Sequence, residues 1–162
     1  MYKRQVETNE IGDLVIKGGS ITQGYWCNTN ENHRKFFGEW MYTGDKYYKD
    51  ELGHYWYCGR SDDMLKVGGI WVSPIEIENA LLHHEYVLEV AVVGCMKDNG
   101  LIQPKAFIVL KNGIQPDEEL VKVLQNYVKV HLAPYKYPRI IEFVDELPKT
   151  ATGKLQRFKL RI

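Results

Sequence analysis

The sequence has few cysteines and no long hydrophobic run. Its three cysteines, Cys27, Cys58 and Cys95, are odd in number and widely spaced, so they form neither a disulfide framework nor a CxxC metal site. This cysteine usage favours a reducing, cytoplasmic compartment. The hydrophobic runs are far shorter than the ~20 residues of a membrane span, and the N-terminus has no apolar signal-peptide core. We therefore expect no membrane span.

An excess of charge of one sign is also lacking. The 162 residues carry 21 Lys and Arg against 21 Asp and Glu, whereas nucleic-acid-binding domains are typically basic. We therefore expect no nucleic-acid partner. With 44% hydrophobic and 26% charged residues, the composition is that of a globular chain with one ordinary domain or two small ones.

The motifs of several enzyme classes are absent as well. There is no GxxxxGK[ST] phosphate-binding loop and no GxSxG nucleophile elbow. The five histidines have no acid or cysteine partner at a fixed spacing, which gives no support to a nucleophilic triad. The adjacent acids Asp62 and Asp63 point in divergent directions, and no further ligand follows them at metal-binding spacing. We therefore predict no metal site.

The first third of the chain is instead rich in aromatic residues. Twelve of the 20 Phe, Trp and Tyr residues lie in residues 1–60, and eleven of these lie between Tyr25 and Tyr57. Short strands are predicted at 14–17 and 55–58, with turn-forming residues around them. We interpret residues 1–61 as a β-rich fragment of a barrel subdomain with a thin core of its own.

Residues 62–162 have a regular pattern that predicts an α+β domain, in which helices pack on a small mixed sheet. A two-stranded hairpin is predicted to turn at Gly68 and Gly69. Two helices are predicted, at 74–84 and 117–132, the first opened by Ser73 as its N-cap. We expect Leu82 on the first helix and His131 on the second to face inward. Three β-branched runs predict the buried strands, at 87–93, 106–110 and 140–144.

Three short segments hold the candidate chemistry, and each also has a plain structural interpretation. PKTATGK at 148–154 presents Lys154 from an exposed loop, either to stabilise charge on a phosphoryl group or as part of a solvated basic tail. YTGD at 42–45 offers Asp45 to two ribose hydroxyls, or forms an ordinary Asx turn. GRSDDMLKVGG at 59–69 is a domain junction whose glycines permit either a close backbone approach to a ligand or a simple turn.

The order of these segments resembles one family. GDLVIKGGSITQGYW (12–26), YTGD, GRSDDMLKVGG, SPIEIENALL (73–82) and PKTATGK resemble the C-terminal part of the adenylate-forming acyl-CoA synthetases, which include peptide-synthetase adenylation domains and luciferases. WYCGRSDDMLKVGGIWVSPIEIE (56–78) and LAPYKYPRIIEFVDELPKTATGKLQRFKLR (132–161) look most like benzoate-CoA and other aryl-CoA ligases. Medium-chain acyl-CoA synthetases are the nearest alternative.

The resemblance implies a two-step, AMP-forming acid–thiol ligation. A carboxylate, benzoate or a related aromatic acid, reacts with ATP to give an acyl-adenylate and pyrophosphate, and CoA then displaces AMP to give a thioester. By similarity, Lys154 would be the catalytic lysine of adenylation, and Asp45 and Arg60 would bind the nucleotide. Mg²⁺ would be held mainly by a part of the enzyme that lies outside this sequence.

By the same resemblance, Asp62 would be a hinge. Residues 62–162 would be a mobile C-terminal domain that swings about it between the two half-reactions. Lys66, Gly68 and Gly69 would lie on the hairpin that replaces Lys154 at the active site and lines the tunnel for the pantetheine arm of CoA.

The family's phosphate loop and acyl pocket belong to a large N-terminal domain, and neither motif occurs in this sequence. We therefore expect the chain to be a C-terminal portion with negligible ligase activity in isolation. Two other interpretations stay open. One is a stand-alone CoA- or nucleotide-binding or regulatory module without catalysis, and the other is an adenylation domain that delivers its acyl group to a carrier protein. The sequence leaves the oligomeric state open.

Overall fold

The computed structural model describes residues 5–97 and 100–161. Its residue contacts divide the chain into two compact units, the first ending at Asp62 and the second beginning at Asp63. We call residues 5–62 the N-terminal unit and the described residues from 63 to 161 the C-terminal unit. No helix in these described ranges is long and apolar enough to cross a membrane.

One ten-residue strand organises the N-terminal unit. This strand, β3 (Trp40–Lys49), pairs antiparallel with β1 (Gly12–Ile16) along one edge. Its other edge pairs with β2 (Phe36–Phe37) near the start of β3 and with β4 (Tyr55–Arg60) near its end. A short helix, α1 (Thr29–Lys35), leads into β2. The sheet is therefore antiparallel throughout, with β3 at its centre.

Few apolar side chains are buried in the N-terminal unit. Cys58 on β4 is the one hydrophobic residue among its described residues that is less than 9% exposed. Many of its aromatic side chains lie at the surface, among them Trp26, Trp40, Tyr55 and Trp56. This burial agrees with the thin core expected from the sequence.

A mixed three-stranded sheet forms the centre of the C-terminal unit. β7 (Val87–Met96) and β8 (Ile102–Leu110) form a long antiparallel ladder, and β9 (Ile140–Phe143) pairs with β8 in parallel. The parallel pair requires a crossover connection, which α3 (Glu118–His131) and a 3₁₀ turn at Pro134–Lys136 provide. The predicted α+β class with a mixed sheet is confirmed.

A hairpin and a helix precede this sheet. β5 (Leu65–Val67) and β6 (Ile70–Val72) form the predicted hairpin, and α2 (Pro74–Leu82) follows directly. The Ser73 hydroxyl accepts a hydrogen bond from the Glu76 amide N–H at 3.3 Å, as an N-cap does. Asp117 caps α3 in the same way, accepting from the Leu120 amide N–H at 2.7 Å.

The sheet of the C-terminal unit is buried on both faces. Alternate side chains of β7 and β8 point to opposite faces, so each strand contributes to two apolar clusters. The first cluster joins the sheet to α2 and α3, and its members include Ile77, Leu81, Val92, Ile108, Leu124 and Val128. The second joins it to the C-terminal segment, through Val93, Phe107, Leu147, Leu155 and Leu160. Burial on both faces explains why the strands are apolar runs instead of alternating patterns.

Two residues expected to face inward do not. Leu82 is 45% exposed, because it lies about 100° around α2 from the buried Leu81. His131 is also exposed, because it is the last residue of α3. Its ring lies 4.1 Å from that of Tyr127, measured between centroids, and its Nδ1 donates to the Tyr127 carbonyl at 2.8 Å.

The packing of α3 predicts the effect of truncating its core residue. Leu124 is completely buried, so Leu124→Ala should lower the free energy of unfolding by about 2–5 kcal/mol. Urea unfolding followed by far-UV circular dichroism measures this loss. The matched control is Val123→Ala, since Val123 is the preceding residue and is 42% exposed; its effect should stay within about 0.5 kcal/mol. Equal losses in the two variants would contradict this orientation of α3.

Candidate functional site

The two nucleotide-binding residues expected from the resemblance meet across a strand pair. Asp45 on β3 and Arg60 at the end of β4 are direct partners in the ladder, and Arg60 Nη1 lies 2.9 Å from Asp45 Oδ1. Partial burial opposes the charged form of Arg60, but the hydrogen bond to Asp45 raises the pKa of the guanidinium above its ordinary value. The structure thus forms a carboxylate–guanidinium pair from two segments 15 residues apart.

Gly44 leaves space for this pair. Its φ is +83°, and a Cβ atom there would lie 2.8 Å from the ammonium nitrogen of Lys35 and 3.1 Å from Nη2 of Arg60. Its carbonyl accepts from the Ser61 amide N–H at 2.8 Å. Residues 42–45 all lie within β3, so the Asx turn left open by the sequence is not formed, and YTGD is a strand segment that requires glycine.

A second polar cluster lies beside the pair and was not predicted. Asp13 Oδ1 accepts from Tyr42 Oη at 2.9 Å and from Ser61 Oγ at 3.2 Å, and Lys46 Nζ lies 2.6 Å away. Partial burial opposes ionisation, but these donors, Lys46 first, hold the pKa of Asp13 below its ordinary value. Burial and the bond to Asp13 raise the pKa of Tyr42. The sequence feature that could have indicated this cluster is the charged Asp13 within the otherwise uncharged strand GDLVI.

The predicted hairpin glycines form the turn between β5 and β6. Gly68 and Gly69 have φ angles of +56° and +87°, and a Cβ atom at either position would meet no atom within 4 Å. Two left-handed residues match the twist of a tight hairpin. Lys66 is exposed on β5 opposite Trp71, and its Nζ lies 5.8 Å from the centroid of that ring. The hairpin therefore presents side-chain-free backbone at its tip.

Lys154 lies at the end of a closed loop in the C-terminal unit. Lys149 and Leu155 form a β-bridge across its base, and the Thr150 amide N–H donates to the Lys154 carbonyl at 2.8 Å. In return, the Lys154 amide N–H donates to Thr150 Oγ1 at 3.0 Å. The loop is thus ordered by its own hydrogen bonds. Within residues 5–97 and 100–161, no carboxylate oxygen lies within 4.0 Å of the Lys154 ammonium.

The remaining predicted site residue, Asp62, is exposed and ends the N-terminal unit. Asp45 and Arg60 are brought into direct contact, whereas Lys154 and the hairpin glycines lie on separate loops of the C-terminal unit. No three His, Cys, Asp or Glu side chains converge in the part of the chain that the structure describes. The described residues therefore provide no cluster that would hold Mg²⁺ by itself.

Residues 76–154 match the model of the AMP-binding enzyme C-terminal domain. These residues, which form most of the C-terminal unit, belong to this family. Nearly the whole chain, including the residues before this domain, is similar to aryl-CoA ligases. It is 60% identical over 150 residues to the benzoate–CoA ligase of Thauera aromatica, covering 93% of this chain and 28% of that protein. It is 51% identical over 160 residues to the 4-hydroxybenzoate–CoA/benzoate–CoA ligase of Rhodopseudomonas palustris, covering 98% and 30%.

A solved structure also shows similarity to an aryl-CoA ligase. The anthranilate CoA ligase AuaEII in complex with anthranoyl-AMP matches with a TM-score of 0.91 and 52% identity, over 97% of this chain and 30% of that one. The resemblance stated from the motifs is confirmed. The chain spans about 30% of the length of these curated relatives.

The polar cluster in the N-terminal unit predicts a pKa change. Lys46→Met removes the closest cation and should move the pKa of Asp13 up towards its ordinary value. Because the folded-state pKa is lowered, ionised Asp13 stabilises the folded state above the ordinary carboxyl pKa, and this contribution is lost as the pH falls through the folded-state value. The variant should therefore show a weaker loss of stability on acidification.

NMR titration of the Asp13 carboxyl carbon measures the shift. Lys17→Met is the matched control, since the Lys17 ammonium pairs with Glu39 at 2.6 Å and not with Asp13. Identical pKa values of Asp13 in the two variants would contradict the role of Lys46.

Proposed function

We propose that the chain is the C-terminal portion of an AMP-forming carboxylate–CoA ligase that acts on benzoate or a related aromatic acid. The observation that supports this most is the 60% identity over 150 residues to the Thauera aromatica benzoate–CoA ligase. The 4-hydroxybenzoate–CoA/benzoate–CoA ligase of Rhodopseudomonas palustris supports the same class of acid. The activity is that of a longer protein, since this chain spans about 30% of these relatives.

In the first half-reaction, the acid carboxylate attacks the α-phosphorus of ATP, and the bond to pyrophosphate breaks. Asp45 accepts hydrogen bonds from the ribose hydroxyls, while Arg60 holds the carboxylate in place through Oδ1 at 2.9 Å. Gly44, without a side chain, keeps the approach to this pair open.

Lys154 supplies positive charge to the same half-reaction. Both reactants, the carboxylate and the α-phosphate, are anions that repel each other, so an ammonium group between them stabilises the transition state. Lys154 is exposed, and among the described residues no carboxylate oxygen lies within 4.0 Å of its ammonium, so its charge suits this role. The closed loop fixes the backbone from which the flexible side chain extends.

In the second half-reaction, the sulfur of CoA attacks the acyl carbon, and the bond between that carbon and the phosphate oxygen breaks to release AMP. We assign the hairpin with Lys66, Gly68 and Gly69 to the pantetheine passage. Glycine backbone without side chains leaves space for a narrow chain to approach. Rotation at Asp62 would exchange the Lys154 loop for this hairpin between the two steps.

Removal of the Lys154 ammonium tests the first assignment. The chain is joined to the N-terminal region of the Thauera aromatica ligase, and benzoate-dependent ATP–pyrophosphate exchange is measured. Lys154→Ala should lower the exchange rate by about 100-fold or more, as expected when one transition-state contact is lost. Lys149→Ala, in the same loop, is the control and should retain activity. Normal exchange in Lys154→Ala would exclude the assigned role.

A glycine substitution tests the second assignment. Gly69→Leu should slow thioester formation from supplied benzoyl-AMP by about 10-fold or more and leave ATP–pyrophosphate exchange nearly unchanged. Gly113→Leu is a matched control, since Gly113 has the same φ of +87° and the same empty surroundings but lies outside the hairpin. The two variants therefore share the cost of backbone strain. The assignment fails if both variants slow thioester formation equally.

A further inference from the structure

A partly buried ion pair is formed by Arg157, three residues after Lys154. Arg157 Nη2 lies 2.9 Å from Oε1 and 2.7 Å from Oε2 of Glu78. Glu78 is on α2 and is only 7% exposed, and the side chain of Arg157 is largely covered. Charges buried in this way are held by specific partners, and they are not part of a solvated surface.

Glu78 is itself fixed by the sheet. Its Oε1 accepts from the Val92 amide N–H at 2.7 Å. β7 lies at the edge of the three-stranded sheet, and Val92 is fully buried there. The Glu78 carboxylate therefore contacts helix α2, strand β7 and Arg157 at one point, so the position of Arg157 is defined relative to the core of the unit.

Arg157 and Arg161 also connect the tail to the first residue of the C-terminal unit. Arg157 Nη1 lies 4.0 Å from Asp63 Oδ2, and Arg161 pairs with the other oxygen of Asp63. Asp63 directly follows Asp62, the proposed hinge. Two guanidinium groups and two carboxylates thus join the start of this unit to its last described turn, a 3₁₀ helix at Arg157–Leu160.

The base of the Lys154 loop is held by apolar packing and by a backbone hydrogen bond. Leu155 packs against Leu147 and its neighbours, and the Gln156 amide N–H donates to the Pro148 carbonyl at 2.8 Å. Within the described residues, Arg157 Nε is buried without a hydrogen-bond partner, so the anchoring is carried by the two terminal nitrogens. The chain leaving the loop is therefore fixed three residues after Lys154.

We infer that Arg157 is a positioning residue for Lys154 in adenylation. It acts through Glu78, which fixes the exit of the loop on the core, and it contacts neither nucleotide nor acid. The inference rests on the proposed function. A residue that only stabilised the fold would affect both half-reactions, because the hairpin used in thioester formation belongs to the same unit. A positioning residue affects adenylation alone.

The test uses the same fusion to the Thauera aromatica N-terminal region. Arg157→Met should lower ATP–pyrophosphate exchange by about 10- to 100-fold, since displacement of a reacting group by about 1 Å has effects of this size. Thioester formation from supplied benzoyl-AMP should stay within about 3-fold of the parent. Arg157→Lys, which retains the positive charge but not the planar guanidinium, should recover part of the exchange activity. Lys149→Met, which removes only the exposed pair with Glu89, is the control.

A double variant separates positioning from an unpaired buried charge. Arg157→Met leaves Glu78 buried without its cation, which by itself destabilises a fold. Adding Glu78→Gln removes that charge and keeps an acceptor for the Val92 amide. The double variant should regain thermal stability while its exchange activity stays low. Recovery of exchange together with stability would overturn the inference, as would equal loss of both half-reactions in Arg157→Met.

A measurement on the 162-residue chain distinguishes failure of the inference from failure of the proposed function. If the parent fusion shows neither half-reaction, the proposed function fails. Hydrogen exchange on the isolated chain then still reports on the loop. Arg157→Met should increase exchange of the Thr150 and Lys154 amides by about 10-fold, while the core amides of Ile108 and Leu124 change less, since local opening differs from global unfolding. Unchanged exchange in the loop would overturn the positioning role.

Discussion

Burial of the β7–β8 ladder on both faces is the constraint on which the C-terminal unit depends. Its alternating side chains supply two apolar clusters, and each cluster needs its own cover. Helices α2 and α3 cover one face. Residues from the C-terminal segment, Leu147, Leu155 and Leu160, pack in the cluster on the other face. A tail that would otherwise fray is therefore part of the core, and the Lys154 loop projects from a packed layer.

The N-terminal unit is organised differently. Its described residues bury little apolar surface. Polar contacts between the strands therefore make up a larger share of its interactions. Asp45 and Arg60 pair across β3 and β4, while Asp13 joins β1 to Tyr42, Lys46 and Ser61. Such contacts are directional, so they define strand register and side-chain positions more than they add stability.

The sequence was sufficient wherever the signal was local. The Ser73 cap, the glycine hairpin and the periodicity of α3 each depend on residues within a few positions, and each was predicted correctly apart from His131 at the end of α3. Leu82 was expected to be buried because it is apolar, but the neighbouring Leu81 and Glu78 occupy the inward face of α2. Lys154 has no local signal that separates it from other exposed lysines, so the role proposed for it rests on the order of the motifs.

The contacts that were missed join residues far apart in the chain. Glu78 and Arg157 are separated by 79 positions. On an amphipathic helix, Glu78 would be read as a solvent-facing charge, and the tail basic residues as a solvated patch. Glu78 faces inward because the buried Val92 amide N–H, at the edge of β7, requires an acceptor. Once a carboxylate occupies that place, it requires a cation, and Arg157 provides it.

The same pairing accounts for most of the local positive charge of the C-terminal segment in a chain of zero net charge. Five basic residues follow Glu146, but Lys149, Arg157 and Arg161 are neutralised by Glu89, Glu78 and Asp63. Among the described residues, Lys154 has no such carboxylate partner. In the role proposed for it, Lys154 would contact two anionic substrates, so its ammonium should not be neutralised by a neighbouring carboxylate and must also be held at a defined place. The pairs of Arg157 with Glu78 and of Arg161 with Asp63 meet the second requirement, because they fix the chain that leaves the Lys154 loop.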